Sequence, residues 1–379
     1  MAKVYLDSAA TSLWRPICVA EAVARSVMIH AGYGRNRSAP SDAAAGEIFA
    51  AREAAARLFG ARDASCIVFC LNATHALNTA IFGLYRPGRP CLISAYEHNA
   101  VRRPIAELER RGETELAVAE SPLFDREGAY AAFAREIENK KPGLVVCTAV
   151  GNVFGNLMPI ARIGELCKKS GAAFVVDASQ AAGIVPLDIE KIGADALCMP
   201  GHKGLLGPAG TGIMVLGRSN PRPFMFGGTG IASEEDGMPQ TPPEKYEGGT
   251  LNVCGICGLG EALRYLESHG EALHRKKQAL CRVFAEALAG AGYRVFGPEE
   301  NGATGLFSFD PGFDSEVAAE LLADAGITVR GGLHCAPLAH RAAGTFDRGT
   351  VRISPQPNLG MRTAKKAAEN IVRVLDKAR

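Results

Sequence analysis

The sequence predicts an α/β protein: a large domain with a mostly parallel central sheet, plus a smaller α+β C-terminal domain. Three observations carry this. Short, near-continuously apolar runs alternate with helix-like runs between residues 66 and 217; a Pro- and Gly-rich stretch fills 218–250; a long helical block with weaker strand signals follows. Strand–helix–strand alternation builds a parallel sheet covered on both faces, and doubly buried strands read as unbroken hydrophobic runs.

The elements follow in order. "CIVFCLN" (66–72), "CLISAYEH" (91–98), "GLVVCTAVGN" (143–152), "AAFVVDASQ" (172–180), "ADALCMPG" (194–201) and "GTGIMVLG" (210–217) are the strands, rich in β-branched and apolar residues. "THALNTAIFGLY" (74–85) and "IARIGELCKKSG" (160–171) are helices between them, the second closed by a glycine. Residues 218–250 read as loops. A helix over 258–292, strands at 305–310 and 350–355 and a closing helix over 362–378 make the second domain. The expected boundaries are 15–258 for the large domain, and 1–14 with 259–379 for the small one.

Composition narrows the class. At 47% hydrophobic and 22% charged over 379 residues, the chain is an ordinary globular protein of about two domains. A net charge of +2 from scattered basic residues argues against nucleic acid or an acidic membrane surface as partner. The start, "MAKVYLDSAATS", lacks the apolar run of an export signal, and no stretch is long enough to span a bilayer, so a cytoplasmic protein is expected. Its eleven cysteines are then reduced thiols. Cys66, Cys70, Cys147 and Cys198 lie in apolar runs and read as small buried hydrophobes. Cys254 and Cys257 spell C-x-x-C, but no second pair completes a zinc ribbon.

Ligands of open α/β sheets bind at the C-terminal ends of strands. Four such ends carry polar residues. In "LNATHA" a helix opens at Thr74, where free amides and the hydroxyl could cradle a phosphate; a plain N-cap at Asn72 or Thr74 is the alternative. His98 follows its strand in "YEHNA", and a surface histidine is the simpler reading. Asp177 closes a run of apolar residues, where an acid needs a cationic partner. His202 and Lys203 follow the next strand in "GHKGLLG", which does not match a P-loop because Gly204 stands where a hydroxyl residue is needed. Together, a buried acid, a lysine in a tight turn, a histidine and a phosphate-type helix start suit one ligand, pyridoxal 5'-phosphate. It offers an aldehyde, a ring nitrogen, a π-face and a phosphate.

Eight segments in order, "YLDSAAT", "EHNAVRRP", "GNVFGN", "VVDASQAAGIVPLDI", "GHKGLLGPAGTG", "GGTG", "YEGGTLN" and "RGGLHCAP", span nearly the whole chain. In these the sequence resembles the aminotransferase class V family, within it the cysteine desulfurase and selenocysteine lyase group. The resemblance implies the type I fold of pyridoxal-phosphate-dependent transferases. It implies that Lys203 condenses with the cofactor aldehyde and later shuttles the Cα proton. Asp177 would pair with the ring nitrogen, His98 stack on the ring and Gln180 bond the ring oxygen. Thr74, the amide of His75 and the side chain of His202 would hold the phosphate. Asn152 would lie near substrate and ring oxygen, and Arg352 would grip the substrate carboxylate. Thr229 and Thr250 would reach across the interface of a homodimer to the phosphate. Arg35 and Arg37 lie in a segment that would border the substrate site, with a solvated loop as the alternative. The chain departs from the family pattern at Pro200, which replaces a phosphate-binding hydroxyl and offers no donor. It departs again after Arg352, at "PQPNLGMRT".

Cys335, in "RGGLHCAPLAH", has several readings. Gly331 and Gly332 suggest a mobile or tight loop rather than packed core. A metal site with His334 and His340 lacks a fourth ligand and conventional spacing. The resemblance implies a nucleophile that takes sulfur from cysteine as a persulfide and releases alanine, with His334 and Arg330 favouring the thiolate. A sulfur-accepting partner would follow. Three alternatives stay open: a selenocysteine lyase, a class V transaminase or β-lyase acting on another amino acid, and a cofactor-free scaffold.

Overall fold

The computed structural model describes residues 3–33, 38–231, 233–297 and 304–379; Arg35 and Arg37 lie outside them. In chain order the elements are β1 (Val4–Tyr5), α1 (Ile17–Ile29), α2 (Ala39–Phe59), β2 (Ile67–Cys70), α3 (Ala73–Leu84), β3 (Cys91–Ser94), α4 (Asn99–Arg110), β4 (Leu116–Ala119), α5 (Arg126–Lys140), β5 (Leu144–Thr148), α6 (Ile160–Ser170), β6 (Ala173–Asp177), α7 (Ile189–Ile192), β7 (Ala196–Pro200) and β8 (Gly212–Leu216). After them come α8 (Val253–Gly290), β9 (Arg294–Phe296), β10 (Phe307–Asp310), α9 (Ser315–Asp324), β11 (Ile327–Thr328), α10 (Pro337–Ala343), β12 (Val351–Ile353) and α11 (Met361–Leu375).

The apolar runs become one seven-stranded sheet, in the order β2-β8-β7-β6-β5-β3-β4. Its strands are parallel except β8, which runs antiparallel to both β2 and β7. α3 and α4 cover one face through residues such as Leu77, Ile81, Val101 and Ile105. α2, α5, α6 and the first half of α8 cover the other through Ile48, Phe133, Ile163 and Leu259. Strand order reverses between β3 and β5: β4 lies outward of β3, then β5 returns to its other side and β6 continues away. Such a switch leaves a crevice at the strand ends.

A separate core forms the smaller α+β domain. The antiparallel sheet β12-β10-β9 packs with the second half of α8, α9 and α11 around Leu280, Phe284, Phe309 and Ile371, and Val4 and Leu6 of the N-terminal segment join it. α11 shows why its sequence is helical: Ala364, Ala367, Ala368, Ile371 and Leu375 recur at helical spacing and are all buried.

Two of the elements that differ from expectation show why. α8 starts at Val253, not 258, because the Asn252 side chain caps it by accepting from the Gly255 amide at 3.0 Å. Its glycines permit close packing: a Cβ on Gly258 would stand 2.6 Å from Val23, and one on Gly260 2.9 Å from Ala51. Cys254 and Cys257 fall one turn apart on this helix, and Cys257 is buried. The edge strand β4 was not expected: its apolar run is only four residues long and half alanine, and only alternate residues are buried. No helix among the described residues is long and apolar enough to cross a membrane.

Candidate active site

The ends of β3, β5, β6 and β7 open on a cavity at the switch point. Thr74, His98, Asn152, Asp177, Gln180, His202 and Lys203 all line it, with Asn72, Thr148, Ser179 and Pro200 beside them. Residues more than a hundred positions apart thus meet because the parallel strands all end on one side.

Asp177 closes β6, paired in register with Thr148 and Cys198, and is 2% exposed. One carboxylate oxygen accepts from the Ser179 amide at 2.9 Å. Lys203 follows β7 in a turn pressed against the 181–184 segment: a Cβ on Gly204 would lie 2.2 Å from the Ala182 carbonyl. Its Nζ has no hydrogen-bond partner among the described residues. Burial draws the lysine's pKa down to about 8; Asp177 opposes this, while Arg352 and Arg330 add to it. The result is an amine poised near neutrality, as a nucleophilic lysine requires.

The anion cradle is the start of α3. The Asn72 side chain caps the helix, accepting from the His75 amide at 2.9 Å. The amides of Ala73 and Thr74 have no partner among the described residues, and both residues line the cavity. This differs from the expected role of His75: its amide is engaged by Asn72, and its ring accepts from the Leu71 amide in a separate cleft. His202 shares a hydrogen bond with Thr11 through Nδ1 at 3.0 Å, and burial pushes its pKa down to about 4, so the ring is neutral. Pro200 lines the same wall without a donor. Thr229 and Thr250 lie outside the cavity; Thr250 is exposed, on the rim of the cleft that holds His75.

His98 caps α4 by accepting from the Ala100 amide at Nδ1, which leaves the proton of the neutral ring on Nε2. Burial lowers its pKa. Gln180 donates to the Ala9 carbonyl at 3.0 Å. Asn152 donates from Nδ2 to the His334 carbonyl at 2.8 Å, and its buried Oδ1 has no partner among the described residues. Arg352 is buried behind Asn152, donating to its carbonyl at 2.9 Å and to Asp7 at 2.7 Å.

Of the eleven cysteines only Cys335 is exposed. It lines a groove that shares Thr74, His98 and Ala100 with the cavity. His334 and Cys335 both have left-handed backbone, with φ of +50° and +57°. That conformation costs roughly 1–2 kcal/mol for a residue with a Cβ. Three bonds hold it: Asn152 to the His334 carbonyl, the Asn99 amide to the Cys335 carbonyl at 2.7 Å, and His334 Nε2 donating to the Thr350 carbonyl at 2.9 Å. One expectation is narrowed here and one overturned. Of the mobile or tight loop expected, the structure has the tight one: a Cβ on Gly331 would lie 2.1 Å from the Ser315 carbonyl, and Gly332 has a left-handed φ of +94°. His334 is buried, and burial keeps its pKa well below the usual histidine value, with Arg352 adding to the effect; it brings no positive charge to the thiol. Arg330 does, with Nη2 3.7 Å from Sγ.

Sequence reasoning missed Glu97. It is buried, and its Oε1 accepts from Ser94 at 2.5 Å and from the Thr148 amide at 2.7 Å, tying β3 to β5 across the switch. Burial raises its pKa to about 8. The acid next to His98 in "YEH" was its only signal. Asp7 and Thr11 stood within a quoted motif without roles.

A buried lysine and acid at the strand ends of a mostly parallel sheet, beside an open helix start, define the type I fold of pyridoxal-phosphate-dependent transferases. The family model for class-V aminotransferases matches residues 4–361, and the chain belongs to that family. Similar proteins include a probable cysteine desulfurase of Methanothermobacter thermautotrophicus, 32% identical over 93% of this chain and 89% of its own length. The cysteine desulfurase CsdA of Escherichia coli is 30% identical over 100% of this chain and 94% of its own. Among solved structures, an apo cysteine desulfurase of Thermococcus onnurineus superimposes with a TM-score of 0.89 at 27% identity, covering 99% of this chain and 95% of that one.

Proposed function

We propose that the protein is a pyridoxal-phosphate-dependent cysteine desulfurase. It converts L-cysteine to L-alanine and takes the sulfur onto Cys335 as a persulfide. The observation that carries this reading is the exposed Cys335 thiol in a groove continuous with the Lys203 cavity.

The residues present fit the cofactor. The buried, unpartnered Asn152 Oδ1 and the open amides of Ala73 and Thr74 are polar groups that await a ligand. Those amides, the Thr74 hydroxyl and His202 would hold the phosphate, at a helix end that favours anions. Asp177 would meet the ring nitrogen, His98 a ring face, and Gln180 and Asn152 the ring oxygen. Bound there, pyridoxal phosphate supplies an electron sink for the bonds at the substrate Cα. Lys203 would anchor its aldehyde and then hold the proton taken from Cα. Arg352 takes the substrate carboxylate. The Cys335 thiolate, beside Arg330, attacks the substrate sulfur. An S–S bond forms and the Cβ–S bond breaks; its electron pair stays with carbon, and Cβ takes a proton as alanine forms.

A homodimer belongs to the same proposal, with Thr229 and Thr250 reaching the partner's phosphate. The exposed Phe224, Met225, Phe226 and Ile231 in the Thr229 segment support it. A cytoplasmic setting, supported by eleven unpaired thiols, and an external sulfur acceptor are further parts of the proposal. Domain limits of 15–258, and 1–14 with 259–379, also belong to it: the separate core around Leu280, Phe284, Phe309 and Ile371 supports a small domain, although Leu259 to Leu266 of α8 pack on the large-domain sheet.

Visible absorbance and alanine formation test the reading together. Lys203→Ala is expected to lose the visible absorbance of the holoenzyme. Cys335→Ala is expected to keep it and form no alanine from L-cysteine. Full desulfurase activity in Cys335→Ala would end the persulfide role, and activity on selenocysteine alone would favour a lyase.

A further inference from the structure

We propose that Asp7 is a positioning residue for substrate recognition, holding the Arg352 guanidinium in the orientation that receives an amino acid's carboxylate. The inference rests on the reading of Arg352 as the carboxylate-binding residue.

Arg352 is a cation with a side chain only 2% exposed, and a buried guanidinium needs both acceptors and a counter-charge. Asp7 supplies the charge. Its Oδ1 accepts from Nη2 at 2.7 Å, while the Asn152 carbonyl accepts from Nη1 at 2.9 Å. Nε has no partner among the described residues. Two of the three guanidinium nitrogens are thus pinned from different sides, which fixes the plane of the fork. A carboxylate ligand needs that plane, because it binds an arginine through paired, coplanar hydrogen bonds.

Asp7 is itself rigid. Its carbonyl accepts from the Tyr5 hydroxyl at 3.1 Å and from the Ala10 amide at 3.1 Å. Its backbone bridges Ser354, two residues beyond Arg352, and the flanking bonds Ser354 N to Leu6 O and Ser8 N to Ser354 O lock that register. The carboxylate and the arginine therefore ride on adjoining backbone, and their geometry is set before any substrate arrives. Asp7 also offsets a positive charge that would otherwise stand beside Lys203 and Arg330.

Loss of one charge-assisted bond to Arg352 is expected to raise KM for L-cysteine on the order of tenfold in the Asp7→Asn holoenzyme, with kcat within about threefold. The apparent Kd for L-alanine, read from the visible absorbance, shifts by a similar factor. Ethylamine, which has no carboxylate, binds the variant and the parent alike. Arg352→Ala is measured alongside. If Arg352→Ala raises KM and Asp7→Asn does not, the inference about Asp7 is overturned while the role of Arg352 stands. If Arg352→Ala leaves KM unchanged, the reading of Arg352 falls first. Equal weakening of ethylamine and alanine by Asp7→Asn would mean general damage to the site and would also overturn the proposal.

Discussion

Lys203 and His334 show how burial sets chemistry that residue type alone leaves open. Lysine normally titrates near 10.4, so its neutral form is scarce at pH 7. Here burial lowers the pKa to about 8, which raises the neutral share at pH 7 by roughly two orders of magnitude, to about a tenth. Uptake of pyridoxal phosphate by the apo protein should therefore climb roughly tenfold per pH unit below pH 8 and level off above it. Stopped-flow absorbance from pH 6 to 9.5 measures this; a rate still climbing at pH 9.5 would contradict the lowered pKa. His334 reads in the sequence as a charge beside a thiol, but its ring is buried and bonded to Thr350. Its work is to hold two left-handed residues. His334→Ala should lower kcat by about tenfold or more, one hydrogen bond plus released strain, with the visible absorbance unchanged. An unaltered kcat would show that the loop needs no such hold. Residue identity was legible at Lys203, Asp177 and His98 because each follows an apolar run. The part played by His334 was not, because it depends on burial by residues distant in sequence.

At the scale of elements, the buried strands were readable and the packing between elements was not. β2, β3 and β5 to β8 are each buried along their length, so each is an uninterrupted apolar run. β4 has a run as well, Leu116–Ala119, but half of it is alanine and only alternate residues are buried at the sheet edge, so it stood out less. The glycines at the start of α8 disguised a helix, since their purpose is contact with α1 and α2 rather than local conformation. Gly212 is the same kind of residue at the active site. A Cβ there would stand 2.7 Å from the Asn72 backbone, where β8 passes the start of α3. Gly212→Ala must displace that helix start, so it should cost about 1–3 kcal/mol of stability and weaken cofactor retention, unlike a control such as Gly46→Ala, where a Cβ meets nothing within 4 Å. Chemical denaturation and dialysis of the holoenzyme read the two effects; wild-type cofactor retention would place the anion cradle elsewhere.

For the whole molecule, the exposed apolar segment 224–226 is the feature a single chain leaves unexplained; Phe226 is 72% exposed. Phe226→Asp should convert a dimer to a monomer in light scattering and loosen the cofactor, whereas an unchanged mass would remove this segment from the interface. The distribution of thiols has a consequence for stoichiometry. Ten of the eleven cysteines are buried or half-buried, and the exposed one is the proposed sulfur carrier. A chain arranged this way has no second exposed thiol to discharge the first. On the proposed reading, each active site loads its sulfur onto that one thiol. Without an outside acceptor, alanine should appear once per chain and then nearly cease, so that the acceptor sets the pace of every later turnover.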